Sequence, residues 1–213
     1  MASTKSDIAY EAIKTKILEG ELAPGCDISE ETLEREMSLS RTPIREACQR
    51  LSKEGFVQIY PSKGMIVADI TTDLIRDIYE MRLLNEPFIV VQACRLNTGR
   101  EWLEEIREQL LSPELDQPEA HQRRHYIALD RALHDGFLRN SRNRFLLSTM
   151  QMVLDHNHRI RIKVSRPYSP DDRSITEHLD IIDAFFARDE KRLEASVRSH
   201  IEASRKITFD YFL

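Results

Sequence analysis

The pattern of apolar and polar positions changes near residue 70. Up to that point, short amphipathic segments alternate with turn residues, and the stretch ends in strand-like residues. Beyond it, apolar residues recur at helical spacing, and no strand candidate of any strength is present. The pattern predicts a mainly α protein with two domains. The first spans residues 1–70, and the second, an all-α bundle of about six helices, spans residues 71–213.

The helices of the bundle are placed by the spacing of their apolar residues and by the turn residues between them. Two links separate the last three helices: residues 166–170, which contain two prolines, and residues 187–189. We predict helices over about 72–97, 100–111, 118–140, 143–165, 171–187 and 189–211.

Residues 40–56 have the clearest helical pattern of the first domain. The apolar stripe of this segment consists of Ile44, Ala47, Cys48 and Leu51, at positions i, i+3, i+4 and i+7. The opposite side carries Arg41, Arg45, Gln49 and Ser52. Thr42 is predicted to cap the helix, with Pro43 in its first position, and Gly55 is predicted to end it. One face of the helix can therefore pack while the other enters a groove.

Further elements complete the first domain. One helix carries Ala9, Ala12, Ile13 and Ile17 on one side, and a second is predicted from its N-cap Ser29 to about residue 37. After the helix at 40–56, the segments 56–60 and 65–68 have the pattern of two strands joined by the turn 61–64. The whole arrangement predicts a winged helix-turn-helix, which is a DNA-binding fold.

The first domain resembles a known family. The segments 22–25, 28–30 and 40–47, together with Gly64 in the turn, are similar to the GntR family of bacterial transcription regulators. The resemblance implies a homodimer whose recognition helices enter the major groove of a palindromic operator, with the wing tips in the minor groove. One recognition helix also reads too few base pairs for genomic specificity, which agrees with a dimer.

The resemblance also implies roles for individual residues of this domain. Arg41 and Arg45 correspond to base readers, Arg35 to a backbone or base contact, and Lys63 with Gly64 to the wing tip. Arginine suits base reading because its guanidinium can bond guanine O6 and N7 together. The candidate DNA contacts are Arg35, Arg41, Thr42, Arg45, Gln49, Lys63 and Gly64.

The net charge gives weaker support for DNA binding. The chain has 31 Lys and Arg against 36 Asp and Glu, so its formal net charge is -5. Basic residues nevertheless outnumber glutamates between positions 41 and 63. This local excess favours specific operator binding over general coating of DNA.

The hydropathy of the chain and its cysteine content indicate the cellular compartment of the protein. No apolar run is long enough for a membrane span, and the N-terminus lacks a secretory signal, so we expect a cytoplasmic protein without a membrane partner. The three cysteines, Cys26, Cys48 and Cys94, are odd in number and widely spaced. They support neither a disulfide framework nor a cysteine zinc site.

Several polar residues of the bundle lie in the middle of apolar stripes. Asp130 and His134, one helical turn apart, both face the predicted core. His178 and His200 centre on the apolar stripes of two other helices. Each histidine alone could be a hydrogen-bonded core residue. Together, one carboxylate and three imidazoles could instead bind zinc, nickel or manganese.

This set resembles the FadR-type C-terminal domain, called FCD, of one GntR branch. Its metal-containing members have the pattern Asp-x-x-x-His, then a histidine, then a final histidine on the last helix. Here Asp130, His134, His178 and His200 match that pattern. The resemblance implies a metal-dependent pocket for a small organic acid, often a carboxylic or sugar acid. Asn85 departs from the pattern, where an aliphatic residue is usual, and this bears on the ligand pocket.

Two arginines follow the same inward pattern. Arg82 could form an ion pair with Glu86, and Arg161 could reach solvent at the edge of its helix. In the functional interpretation, these arginines and the metal hold the acid effector together, because a buried guanidinium needs an anion. The candidate effector-binding residues are Arg82, Asn85, Asn157 and Arg161.

Two classes of function are compatible with these residues. The first is a ligand-responsive transcription regulator, in which the bundle binds an acid and changes operator affinity. The second is a metalloenzyme with an accessory DNA-binding head, since a metal with open positions could activate water. No nucleophile-and-base pair or phosphate-binding loop supports catalysis, so we predict the regulator and no enzymatic activity.

Overall fold

A computed structural model describes residues 3–61, 64–112, 119–164 and 173–212. The chain divides into two compact units, Met1–Thr71 and Thr72–Leu213. We call the first unit the head and the second the bundle. Among the described residues, no helix is long and apolar enough to cross a membrane.

The described residues of the head form three helices and a two-stranded wing. The helices are α1 (Lys5–Leu18), α2 (Glu30–Met37) and α3 (Arg41–Lys53), and the strands are β1 (Val57–Tyr60) and β2 (Gly64–Val67). The strands are antiparallel, with Val57 opposite Val67 and Tyr60 opposite Gly64. One core joins these elements, and its fully buried members include Ile13, Ile44, Leu51, Phe56 and Val67.

Two predicted helix ends of the head are confirmed. The Ser29 hydroxyl accepts a hydrogen bond from the Thr32 amide at 3.2 Å, which caps α2. Gly55 follows the end of α3 with a φ of +80°, a conformation that glycine adopts without steric cost. The Phe56 amide then donates to the Leu51 carbonyl at 2.9 Å, which closes α3 by a Schellman motif.

The predicted start of α3 was wrong by two residues. Ser40 is the N-cap, with an extended backbone and no capping bond from its side chain, so Thr42 is not the cap. Pro43 is the third helical residue rather than the first. Proline is tolerated there because the first amides of a helix have no carbonyl partner in any case.

The bundle contains one helix for each predicted segment. These helices are α4 (Thr72–Leu96), α5 (Arg100–Leu110), α6 (Glu119–Arg139), α7 (Arg144–Lys163), α8 (Arg173–Phe186) and α9 (Glu190–Phe212). The predicted link at 166–170 lies outside the described residues. Helix α4 packs along α9 and also against α6 and α7, while α8 packs on α9. The polar residues of the predicted metal site therefore come from helices that surround one core.

Candidate functional site

Four polar side chains meet in the centre of the bundle, and we call them the central cluster: Asp130, His134, His178 and His200. Asp130 and His134 are four residues apart on α6, and the two other histidines lie on α8 and α9. All four are at most 7% exposed. Each sits among apolar residues because it occupies the middle of its helix's buried stripe.

The ligand atoms of the central cluster converge on one point. The Nε2 atom of His200 lies 3.3 Å from the Nε2 atoms of both His134 and His178. The Oδ1 atom of Asp130 lies 3.3 Å from His178 Nε2 and 3.9 Å from the Nε2 atoms of His134 and His200. A metal bound at about 2.0–2.1 Å in tetrahedral geometry requires ligand atoms about 3.3 Å apart. The three 3.3 Å spacings match this value, and the two 3.9 Å spacings from Asp130 are wider.

Outer partners orient the three imidazole rings. His134 Nδ1 lies 2.6 Å from a Glu86 oxygen, and His200 Nδ1 lies 3.0 Å from a Glu177 oxygen. Tyr126 Oη lies 3.4 Å from His178 Nδ1. An ionised carboxylate only accepts hydrogen bonds, so the Nδ1 atoms of His134 and His200 carry the protons and their Nε2 atoms present lone pairs. The Nε2 lone pairs of His134 and His200 therefore face each other at 3.3 Å, an arrangement that a bound cation would stabilise.

Burial and charge set the protonation states of the cluster. Burial lowers the pKa of His178, and it holds the pKa of His200 well below the usual range, helped by the charges of His178 and His134. Burial alone would raise the pKa of Asp130, but Arg161 and a bond from His178 hold it well below its usual range. The neutral imidazoles of His178 and His200 and the ionised carboxylate of Asp130 are the forms that bind metal.

Arg82 joins the cluster to α7. Its Nε donates to Glu86, so the ion pair considered from the sequence is present, and its NH1 donates to Asn157 Oδ1 at 2.9 Å. Its NH2 lies 3.2 Å from His134 Nε2. Burial would raise the pKa of Glu86, but the charge of Arg82, followed by the contact with His134, lowers it to about 2. Arg82, Glu86 and Asn157 therefore form one buried network with the central cluster.

The other predicted effector residues differ in position. Arg161 is mostly buried, and its NH2 lies 3.7 Å from Asp130 Oδ1, so it faces the cluster rather than solvent. Asn85 instead donates to the Met81 carbonyl on its own helix at 2.8 Å. Two small cavities adjoin the cluster, one lined by Glu86 and His134 and the other by Asp130, His134 and Asn157.

Sequence reasoning missed part of this site. Glu86 was considered only as a partner of Arg82, and neither Tyr126 nor Glu177 was recognised as a partner of an imidazole. His156 and His158 of α7 are both buried, although neither belongs to the central cluster. The one usable signal was the spacing of Glu86, one turn after an inward arginine.

The head exposes the predicted DNA-reading face. Arg41, Thr42, Arg45 and Gln49 are exposed on α3, and Arg35 is exposed on α2. Gly64 begins β2 with a φ of +104°, which favours glycine at the wing tip, and Lys63 lies outside the described residues. Two acidic residues that sequence reasoning missed contact this face, because Arg45 pairs with Glu30 and Arg41 pairs with Glu34.

Comparisons with known proteins agree with this architecture. Residues 77–203 match the FCD domain, and residues 5–67 match the bacterial regulatory proteins of the gntR family. The Nta operon transcriptional regulator of Aminobacter aminovorans is 30% identical over 181 residues, which cover 84% of this chain and 82% of that protein. The HTH-type transcriptional repressor RspR of Escherichia coli (strain K12) is 26% identical over 204 residues, which cover 91% of this chain and 84% of that protein.

The fold has a counterpart among solved structures. E. coli McbR/YncC superposes on the full length of both chains with a TM-score of 0.84 at 17% identity, which is a likeness of fold. The two sequence matches cover the head and most of the bundle. The chain therefore belongs to the GntR family of bacterial transcription regulators and combines their DNA-binding head with an FCD domain.

Proposed function

We propose that this protein is a cytoplasmic, ligand-responsive repressor that binds a palindromic operator as a homodimer. In this proposal the bundle holds one divalent metal and, beside it, a small organic acid that changes operator affinity. The observation that carries the proposal is the convergence of three imidazole nitrogens and one carboxylate oxygen, with outer partners on all three rings.

The DNA-binding part of the proposal assigns roles to the exposed face of the head. Arg41 and Arg45 read guanines in the major groove, with Thr42 and Gln49 beside them on α3. Arg35 contacts the backbone or a base, and Lys63 with Gly64 enters the minor groove. Two such heads match the two halves of a palindrome, which is why the active species is a homodimer.

The metal part assigns the four residues of the central cluster as ligands of zinc, nickel or manganese. The metal would supply a Lewis acid that holds a carboxylate oxygen of the effector. Asp130 and His134 come from one helix and the two other histidines from α8 and α9, so ligation ties three helices together. Metal affinity is favoured because the lowered pKa values of Asp130, His178 and His200 favour the forms that bind metal.

The effector part concerns the arginines next to the cluster. Arg82 and Arg161 are cations beside the proposed metal, and both can pair with the carboxylate of a carboxylic or sugar acid. Asn157 orients Arg82 through the bond to its NH1. Asn85, on the next turn of α4, is proposed to contact the polar part of the acid after a change of side-chain rotamer.

A selection experiment tests the DNA part. Purified protein is incubated with random-sequence duplexes, and the bound fraction is sequenced; we expect a palindromic site. Arg45→Ala should then lose about 1–3 kcal/mol on the selected duplex and little on a scrambled one. Equal losses on both duplexes would reduce Arg45 to a phosphate contact.

A binding experiment tests the metal and effector part. Zinc-loaded and chelator-treated protein are screened by thermal shift against a panel of small organic acids, and we expect stabilisation only in the loaded protein. An acid that stabilises both forms equally would contradict a metal-dependent pocket. Turnover of a bound acid would instead favour the metalloenzyme considered from the sequence.

A further inference from the structure

Two ion pairs connect α2 to the DNA-reading face of α3. Arg45 Nε donates to Glu30 Oε1 at 2.8 Å, and Arg41 Nε donates to Glu34 Oε2 at 3.2 Å. The two arginines are one turn apart on α3, and the two glutamates are one turn apart on α2. The pairs therefore form two parallel rungs between the helices, and we call them the α2–α3 brace.

The brace holds each guanidinium by one particular nitrogen. In both rungs the glutamate accepts from Nε, and among the described residues neither arginine has an acceptor at NH1 or NH2. Those two nitrogens are the pair that can bond guanine O6 and N7 end-on. The brace therefore leaves the base-reading end of each arginine available.

The two partners of each rung differ in exposure. The arginine side chains are 62% and 61% exposed, whereas Glu34 and Glu30 are 25% and 22% exposed. The glutamates are thus partly held by the packing of the head, while the guanidinium groups project outward. A free arginine side chain has about 2 kcal/mol of rotamer entropy to lose on binding, and a partner at Nε removes part of that loss beforehand.

We propose that Glu30 and Glu34 are positioning residues, which hold Arg45 and Arg41 in the orientation that reads guanine and so increase sequence discrimination. The proposal rests on the proposed function, in which these arginines are base readers. Glu30 also raises the pKa of Arg45 through the same hydrogen bond, so this guanidinium keeps its charge.

The charge of the head adds a second contribution to discrimination. Met1–Thr71 contains nine Lys and Arg residues and twelve Asp and Glu residues, a net charge of -3. Carboxylates beside the reading face repel phosphates on DNA that offers no guanine to the arginines. Glu30 and Glu34 should therefore lower non-specific affinity while they favour the specific complex.

The test compares two charge-removing variants with a matched control. Glu30→Gln and Glu34→Gln remove one rung each. The control, Glu31→Gln, removes one charge next to Glu30 in the first turn of α2. Glu31 forms no ion pair among the described residues. Full-length wild-type protein first selects its duplex from a random-sequence DNA library. Each variant, along with Arg45→Ala and Arg41→Ala, then repeats the selection and is titrated with the wild-type duplex and a scrambled duplex.

The expected result is a loss of preference at defined positions. Arg45→Ala should abolish the guanine preference at one position of the duplex, and Glu30→Gln should weaken the preference at that same position. Arg41→Ala and Glu34→Gln should act in the same way at a second position. The ratio of specific to non-specific affinity should fall about 3- to 10-fold in each, while Glu31→Gln changes it by less than about twofold. In an Arg45→Ala background, Glu30→Gln should cause no further loss of preference.

Three outcomes would overturn the proposal. Glu30→Gln and Glu34→Gln could behave like Glu31→Gln, which would make the brace a surface ion pair only. Their specific and non-specific affinities could rise together, which would make the glutamates simple repellents of DNA. Unchanged preferences in Arg41→Ala and Arg45→Ala would remove the base readers themselves, and this result alone would also contradict the proposed function.

Discussion

The head and the bundle place their charged pairs in opposite settings. In the head, the pairs Arg45–Glu30 and Arg50–Asp7 lie at the surface, where water competes with each partner. In the bundle, the pair Arg82–Glu86 and the central cluster are almost fully buried. An exposed pair can exchange its partner for DNA at low cost, whereas a buried pair must keep a partner of opposite charge.

This difference suits the two tasks of a regulator. In the proposed function, the arginines of the head leave water and contact a base within one binding event, so weak and replaceable partners are an advantage. In the same proposal, the imidazoles of the bundle present fixed nitrogens to an ion, so each ring needs a partner that fixes its tautomer and orientation.

The largest effect is expected for Arg82→Ala. It leaves the Glu86 carboxylate buried beside His134 without its guanidinium, and it also removes the partner of Asn157. Loss of one member of a buried pair costs about 3–5 kcal/mol of unfolding free energy. This loss of unfolding free energy can be measured by urea unfolding, monitored by the fluorescence of Trp102. Trp102 is the one tryptophan of the chain and lies in the bundle.

The matched control is Arg76→Ala, because Arg76 forms exposed pairs with Asp73 and Asp77 on the same helix. It should shift the urea midpoint only slightly, because water already solvates both partners of each pair. Similar losses in the two variants would mean that burial does not separate the two kinds of ion pair in this protein.

Metal loading should give the next largest effect. An ion that binds only the folded bundle stabilises it by about 2.7 kcal/mol at a free concentration one hundred times its Kd. We expect zinc to raise the melting temperature of chelator-treated protein, and His178→Ala to abolish most of that rise. His125→Ala, on α6 but outside the central cluster, should keep the full rise; a rise lost in both variants would point to another site.

Much of this architecture was predictable from the sequence, for a local reason. Helical periodicity depends on residues three and four positions apart along the chain. It therefore predicted the bundle helices, and it predicted that Asp130, His134, His178 and His200 face inward. The start of α3 was misplaced because proline is accepted at more than one position of a first turn.

The partners of the cluster were not predictable in the same way. Which ring nitrogen is engaged depends on contacts between helices far apart in sequence, such as Glu86 with His134 and Glu177 with His200. The brace was missed for the same reason, since Glu30 and Arg45 belong to different helices. Periodicity gives the face on which a side chain lies, and only the packed structure gives the atom it meets.

Mild acid should destabilise the bundle at a higher pH than it destabilises the head, and the loss of stability should be of intermediate size. Burial lowers the pKa values of His178 and His200, so between pH 6.5 and those lowered values the unfolded chain binds more protons than the folded chain. The stability of the metal-free bundle is therefore complete above about pH 6.5 and falls below it, by at most about 1.4 kcal/mol per pH unit for each histidine.

The head should respond to acid only at lower pH. The pKa of Asp7 is lowered from 3.8 to about 2, first by its bond with Thr4 and then by Arg50. The Asp7 carboxylate therefore stabilises the head above pH 3.8, and this stabilisation is lost between pH 3.8 and about 2. Trp102 fluorescence should therefore report weakening at a pH where amide exchange in α1 is unchanged, and simultaneous loss of both signals would contradict the assignment.

The smallest effect is expected at the helix starts of the head. Thr4 and Asp7 form a reciprocal capping box at the start of α1, in which the Thr4 hydroxyl accepts from the Asp7 amide at 3.1 Å and the Asp7 carboxylate accepts from the Thr4 amide at 3.1 Å. Ser40 occupies the equivalent position of α3 without any capping bond from its side chain. Thr4→Ala should therefore cost about 1 kcal/mol of local stability, whereas Ser40→Ala should cost a few tenths at most. Hydrogen exchange of the α1 and α3 amides measures each loss separately, and equal losses would show that the Ser40 hydroxyl caps α3 in solution.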